Sequence, residues 1–296
     1  MSSAQPLPTP LLEPEDLARW LVEPELAGAP IRLLDARAGA AGLEAYETGH
    51  VTGALHVDLE RDLSAVGADP ALGGRHPLPP IERWCERLGQ LGITPRHHVV
   101  IYDAVGGANA AARAWWLLRA VGHQAVSVLD GGWQAAERAG LPIDSEAPWV
   151  SEVDPYPVDG WQLPTLDIEQ VDAARQDARC RVVDVRSARR YRGEIEPFDP
   201  IAGHIPGAIN LPYERTLGPE GRMLAPEALR THFAPLEAVP AERIVVHCGS
   251  GVTACHTLLA MEAAGFELPA LYVGSWSEWC RADRPLARES EPTDET

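Results

Sequence analysis

Along this chain, short apolar runs rich in branched residues alternate with longer stretches whose apolar positions recur every three or four residues. The short runs include Ile31-Arg-Leu-Leu-Asp, Val99-Val-Ile-Tyr-Asp, Arg181-Val-Val-Asp and Ile244-Val-Val-His. Such runs predict strands buried on both faces of a parallel sheet. The longer stretches predict helices over residues 15–22, 81–91, 110–121, 168–176, 225–233 and 253–264. Strands alternating with helices predict an α/β layer fold in which helices cover both faces of the sheet.

The pattern is written twice. The first half carries Ile31 to Arg37, then Gly49-His-Val-Thr-Gly-Ala, then Val99 to Asp103, then Val128-Leu-Asp-Gly-Gly-Trp. The second half carries Arg181 to Arg186, then Gly203-His-Ile-Pro-Gly-Ala, then Ile244 to Cys248, then Tyr272-Val-Gly-Ser-Trp. Matched landmarks in the same order indicate a tandem duplication. The expected division is a first domain over 11–145, a linker over 146–163 and a second domain over 164–290. The linker contains Pro148, Pro155 and Pro157, acidic residues and no periodicity, which suits an extended connector.

The repeat at 244–257 differs from its counterpart in chemistry. A β-branched strand ends in Cys248, a Gly249-Ser250-Gly251 turn follows, and an apolar helix begins near Val252. A loop of this kind turns successive N–H groups inward, and the helix dipole adds partial positive charge, so both favour Cys248 as a thiolate nucleophile. A buried structural cysteine would not need glycine on both sides of Ser250, whereas a loop closing around an anion does. Aligning the halves places Asp103 where the second half has Cys248. A carboxylate cannot act as a sulfur nucleophile, so the first domain is expected to be inactive and to serve as scaffold and cleft wall, with the site in the second domain facing it.

Composition narrows the function further. The 296 residues carry 43 Asp+Glu against 25 Lys+Arg, which argues against nucleic acid or an anionic membrane as partner. No membrane-length apolar run and no leader pattern is present, and a cytoplasmic location is expected. Five cysteines at irregular positions form neither a disulfide framework nor a metal-ligand spacing, which is consistent with a reducing compartment, and the family resemblance given next implies no metal and no organic cofactor.

The duplicated D-x-R and G-H-x-x-G-A motifs, C-G-S-G-V-T-A from Cys248, and G-S-W-S-E-W from Gly274 resemble the two-domain rhodanese-type sulfurtransferases over nearly the whole chain. The resemblance implies tandem rhodanese-like α/β domains and transfer of sulfane sulfur through a Cys248 persulfide. Thiosulfate enzymes of this family carry Arg and Lys after the cysteine, whereas the neutral Gly249-Ser250 pair resembles the 3-mercaptopyruvate type. The implied donor is therefore a small 2-oxo acid that leaves as pyruvate, with thiosulfate as the alternative and a non-enzymatic sulfur-carrier or regulatory module as a further one. The implied acceptor is a thiol such as reduced thioredoxin, or cyanide. A phosphatase built on the same fold needs an arginine six positions after the cysteine, where this chain has Ala254.

Residue by residue, the resemblance assigns donor binding to Arg190 in Arg190-Tyr-Arg-Gly, with the loop residues Gly249, Gly251, Val252 and Thr253. A second family arginine falls on Phe198, and Arg192 is the expected replacement. The family's serine, histidine and acid relay falls on Ser250, His76 and Glu60, with Asp58 and Asp62 equally placed for the acid. His76 lies in Gly73-Gly-Arg-His-Pro, which has no counterpart in the second half, and its alternative reading is a histidine that caps a turn. Arg75 beside it adds positive charge. His50, His204, Asp35 and Asp184 recur in both halves and are read as architecture. Thr253 is expected to cap its helix, Cys255 to face the core, Cys280 to be exposed, and Trp276 and Trp279 to line the cleft.

Overall fold

The computed structural model describes residues 9–158 and 160–288. Its contacts divide the chain into two units. The first comprises the chain up to Ala65, Leu78–Leu163 and Gly218–Met223; the second comprises Val66–Pro77, Pro164–Leu217 and the chain from Leu224.

The first unit is built from β1 (Leu11–Leu12), α1 (Pro14–Val22), β2 (Ile31–Asp35), α2 (Gly39–Thr48), β3 (His50–Val51), β4 (Ala54–His56), α3 (Ile81–Gln90), β5 (His98–Tyr102), α4 (Ala110–Ala120), β6 (Val126–Leu129), α5 (Gly132–Arg138) and β7 (Ile143–Asp144). Its main sheet is parallel throughout, in the order β1-β6-β5-β2-β4, and β3 pairs antiparallel with β7. The second unit contains β8 (Thr165–Leu166), α6 (Ile168–Ala174), β9 (Arg181–Asp184), α7 (Ala188–Arg192), β10 (Ile209–Asn210), α8 (Pro226–Phe233), β11 (Ile244–His247), α9 (Thr253–Ala263), β12 (Ala270–Tyr272) and α10 (Ser275–Trp279). Its sheet, β10-β9-β11-β12-β8, is also parallel. Replacing each strand by its counterpart turns one order into the other, so the duplication extends to topology.

The same side-chain device closes both sheets. Asp35 holds Arg37, whose Nη2 donates to the Gly49 carbonyl while its guanidinium lies 4.2 Å from the Trp133 ring centre. Asp184 holds Arg186, which donates to the Gly203 carbonyl and lies 4.6 Å from Trp276. His50 and His204 bond the carbonyls of Tyr46 and Tyr191 and stack on the same tyrosine rings. These recurring residues are architecture in each half.

Helix patterning follows burial. In α3, Trp84, Cys85 and Leu88 form one buried stripe, as the spacing of an amphipathic helix requires. Helices α4 and α9 follow the central strands β5 and β11 and are apolar almost all round, because they are covered on nearly every side. Asp167 and Gln170 form a capping box that starts α6. No helix among the described residues is long and apolar enough to cross a membrane.

Residues 146–163, the expected linker, run along the first unit: Val153, Tyr156 and Gln162 donate backbone N–H bonds to the carbonyls of Gly89, Cys85 and Ala120. The Gly/Pro-rich segment Val66–Pro77 belongs to the second unit, although it lies in the first half of the sequence. The Gly73 N–H donates to Glu278 Oε1 at 3.0 Å, and the Arg75 N–H donates to Ser277 Oγ at 3.0 Å. Residues 289 and 290 of the expected second domain lie outside the described residues.

Candidate active site

Every residue of β11 is buried, so the strand cannot slide, and it delivers Cys248 to a fixed point at its C-terminal end. The start of α10 braces that point. The Cys248 N–H donates to Ser275 Oγ, its carbonyl accepts the Trp276 N–H at 3.0 Å, and the Gly249 carbonyl accepts the Ser277 N–H at 2.9 Å. Gly251 has φ +75°, and a Cβ there would meet the Val273 carbonyl oxygen at 2.5 Å, so only glycine fits the turn. Helix α9 then begins at Thr253 with Val252 at the N-cap and no side-chain cap. Thr253 therefore does not cap the helix as expected. The uncapped end leaves the positive pole of the dipole at the loop.

The first unit displays what a loop of this shape holds. Asp103, at the position equivalent to Cys248, is 2 % exposed and accepts N–H bonds from Val105, Gly107, Asn109 and Ala111 at 2.8–3.2 Å. Burial pushes its carboxyl pKa up, and the four donors pull it back. The turn between strand and helix is an anion cradle, filled in the first unit by the chain's own carboxylate. In the second unit the residue at that point is the buried Cys248.

Two guanidiniums stand over the second loop. A Cβ added at Gly249 would lie 3.1 Å from Arg190 Nη2, 3.3 Å from Arg190 Nη1 and 3.3 Å from Arg75 Nη2. Helix α7 presents Arg190, whose Nη2 donates to Glu196 Oε1 at 2.7 Å. Glu196 also pairs with Arg186 at 3.2 Å, and the buried Asp199 pairs with Arg75 and with Arg281. Burial alone would lower the Arg186 pKa, but Asp184, Glu196 and Cys248 outweigh it and the pKa is raised. Burial likewise opposes ionisation of Asp184, yet Arg186 and His247 hold its pKa below the usual carboxylate range. Arg186 therefore stays charged although buried, where its field is strong.

His76 Nδ1 lies 2.8 Å from Ser250 Oγ, although 174 positions separate the two residues in sequence. The folded segment Val66–Pro77 thus brings the expected histidine and serine together beside Cys248. Glu60 is exposed and belongs to the first unit; its N–H donates to Asp58 Oδ1. Asp62 accepts from the Asp58 N–H and from Arg61, and Asp58 takes N–H bonds from Gly39, Glu60 and Arg61.

Arg192 pairs with Glu194 at 2.5 Å, and the nitrogens nearest the Gly249 position belong to Arg190 and Arg75. Two expectations are corrected. Trp276 and Trp279 do not line a cleft. They are fully buried in the second unit's core, with indole N–H groups on the carbonyls of Ile201 and Pro285. Cys280 is 2 % exposed, and burial pushes its thiol pKa up, because the turn after α10 packs it into that same core. Cys255 faces the core as expected. Sequence reasoning missed the bracing by Ser275 and Ser277 and the pairing by Glu196 and Asp199. The acidic residues flanking Phe198 were the one local signal for the latter.

The Rhodanese-like domain family matches residues 13–139 and 167–282. A Pseudomonas aeruginosa protein named "Probable 3-mercaptopyruvate sulfurtransferase" is 42% identical over 299 residues, covering 97% of this chain and 99% of its own. The thiosulfate sulfurtransferase of Rattus norvegicus is 33% identical over 286 residues, covering 92% of this chain and 94% of its own. The structure of 3-mercaptopyruvate sulfurtransferase from Leishmania major superposes with a TM-score of 0.79 at 30% identity, covering 93% of this chain and 75% of that one. With a rhodanese-like domain matched in each half, this chain belongs to the two-domain rhodanese-type sulfurtransferases.

Proposed function

We propose that this enzyme transfers sulfur from 3-mercaptopyruvate to a thiol acceptor through a persulfide on Cys248. The observation that carries the reading is the loop itself: a cysteine at the mouth of an anion cradle, neutral at Gly249 and Ser250, with Arg190 reaching in from α7. The Cys248 thiolate attacks the donor sulfur and forms the S–S bond. The carbon–sulfur bond breaks, and its electron pair passes into the pyruvate enolate. Guanidiniums beside Gly249 hold the carboxylate, and the cradle N–H groups favour the anionic persulfide. The hydrogen-bonded Ser250 and His76 pair is positioned to hand a proton to the enolate, giving pyruvate. Glu60 remains the proposed acid of that relay. An acceptor thiolate, such as that of reduced thioredoxin, or cyanide then attacks the outer sulfur and restores Cys248, so the reaction proceeds by two displacements.

One observation favours thiosulfate as a second reading: two guanidiniums crowd Gly249, where a compact dianion would need cations. A side-by-side measurement of kcat/KM for both donors, with cyanide as acceptor and Cys248→Ser as blank, separates them. A preference for 3-mercaptopyruvate is expected, with loss of at least about 1,000-fold in Cys248→Ser. A preference for thiosulfate, or full turnover by the variant, overturns the reading.

A further inference from the structure

We propose that the first unit carries a small-molecule site of its own, in which Arg37 binds the carboxylate of a monoanion whose apolar body lies against Trp133 and α2.

The site is an open pocket of about 520 Å³ lined by Arg37, by Ala41, Glu44 and Ala45 of α2, and by Trp133 and Ile143. That size suits a small ligand. The duplication shows what its cation can hold. Arg37 and Arg186 are equivalent, and each spends Nε and Nη2 on the aspartate two residues before it and on a glycine carbonyl. In the second unit the remaining nitrogen, Arg186 Nη1, donates to Glu196 Oε2 at 3.2 Å. Arg37 Nη1 makes no such bond among the described residues, although its side chain is only 6 % exposed.

Chain length between landmarks explains the difference. Residues 193–203 follow α7 and bring Glu196 back to Arg186, whereas α2 ends at Thr48 and only Gly49 separates it from β3. A guanidinium otherwise buried thus brings to the pocket wall the nitrogen whose counterpart takes a carboxylate.

The two tryptophans differ in the same sense. Trp276, against Arg186, is fully buried, whereas Trp133, against Arg37, is half-buried and forms part of the pocket wall. Ile143 is 47 % exposed, and the side chains of Ala41 and Ala45 carry no polar atom. An aryl or branched alkyl body would cover this apolar surface. Glu44 on the same wall opposes a second negative charge and so selects monocarboxylates over dicarboxylates. Glu196 is held by Arg190 as well as by Arg186, whereas Arg37 is the one cation lining this pocket among the described residues, so the affinity is modest.

The test titrates the full-length enzyme with phenylacetate and follows the indole N–H signals of its nine tryptophans by NMR, the Trp133 signal being identified by its loss in Trp133→Phe. That signal should shift and saturate with a midpoint of about 1 mM, as befits a small ligand held by one charged contact. Phenylacetamide, the neutral isostere, should bind at least about tenfold more weakly, because it forfeits a charge-assisted hydrogen bond. Phenylmalonate should also bind more weakly, and Glu44→Gln should narrow that gap. Ala41→Glu supplies on α2 the kind of carboxylate that Glu196 supplies in the second unit, and it should weaken phenylacetate by about the same factor as the loss of charge. Ala45→Phe, which fills the pocket, should do likewise. Both variants keep Arg37, whose removal would also strip Asp35 of its partner. Arg190→Ala should leave the titration unchanged.

No saturable shift at Trp133 overturns the proposal. Equal affinity for acid and amide overturns it also, because the pocket then reads only the ring. Loss of the titration in Arg190→Ala, with its survival in Ala41→Glu and Ala45→Phe, assigns phenylacetate to the sulfur loop and overturns it too.

Discussion

Two glycines of the sulfur loop serve different ends, and substitution should separate them. Gly251 sits at φ +75° against the Val273 carbonyl, so Gly251→Ala combines a left-handed backbone costing about 1–2 kcal/mol with a direct clash. Its thermal midpoint should fall by several degrees and activity should fall with it. Gly249 has no positive φ; the atoms nearest an added Cβ there are the side-chain tips of Arg190 and Arg75, at 3.1–3.3 Å, rather than backbone. Gly249→Ala should leave the melt within a degree or so while raising KM for an anionic donor. Comparing thermal denaturation with KM for both variants checks the pair, and a large stability loss in Gly249→Ala would show that the guanidiniums cannot yield. At this scale Cys248, Ser250 and Gly251 were legible in the sequence because strand, turn and helix are contiguous. Arg75 was legible only as a charge beside His76. Its contact with Gly249 joins residues far apart in the chain, and no local pattern encodes such a distance.

Two kinds of helix were legible almost to the residue: the amphipathic α3 at Ile81–Gln90, from its period, and α9 at Thr253–Ala263, from a long apolar run after a glycine turn. Those missed were α2, α5, α7 and α10. The first contains two glycines, and the others have only five to seven residues, too few to show a period, so tertiary packing creates them. One element also carries a pH liability. His98 at the start of β5 bonds Ser127 Oγ, and His123 beyond α4 bonds Tyr156. Burial depresses both imidazoles to a pKa of about 4. The unfolded chain takes up these protons near pH 6.5, whereas the folded unit resists them until about pH 4. Stability is therefore complete above pH 6.5 and is lost as pH falls toward 4, by up to about 3 kcal/mol per histidine. Urea midpoints at pH 7.5 and pH 5 should reveal the loss, and His98→Asn with His123→Asn should reduce it. An unchanged pH dependence in the double variant would assign the loss elsewhere.

In the molecule as a whole, one duplicated plan is put to two uses. Matching strand orders, the Asp-Arg-Trp devices and the His-Tyr stacks show that both halves solve the same packing problem. The halves diverge where the cradle is filled by Asp103 in one and carries Cys248 in the other. Asp103→Ala should strand four backbone donors at a buried turn and destabilise the first unit by on the order of 3 kcal/mol. Asp103→Asn, which keeps an acceptor oxygen, should lose less. Chemical denaturation of the two variants measures the difference, and equal losses would show that the cradle does not depend on the carboxylate. The sequence by itself determined the α/β class, the duplication and the strand, turn and helix around Cys248, because each is written in contiguous patterns of apolar spacing and turn chemistry. Only the tertiary structure decided that Val66–Pro77 folds with the second unit, that His76 meets Ser250, and that Arg75 stands beside Arg190. Those choices depend on long-range hydrogen bonds and on the balance of buried charge, which arise only once distant segments share one core.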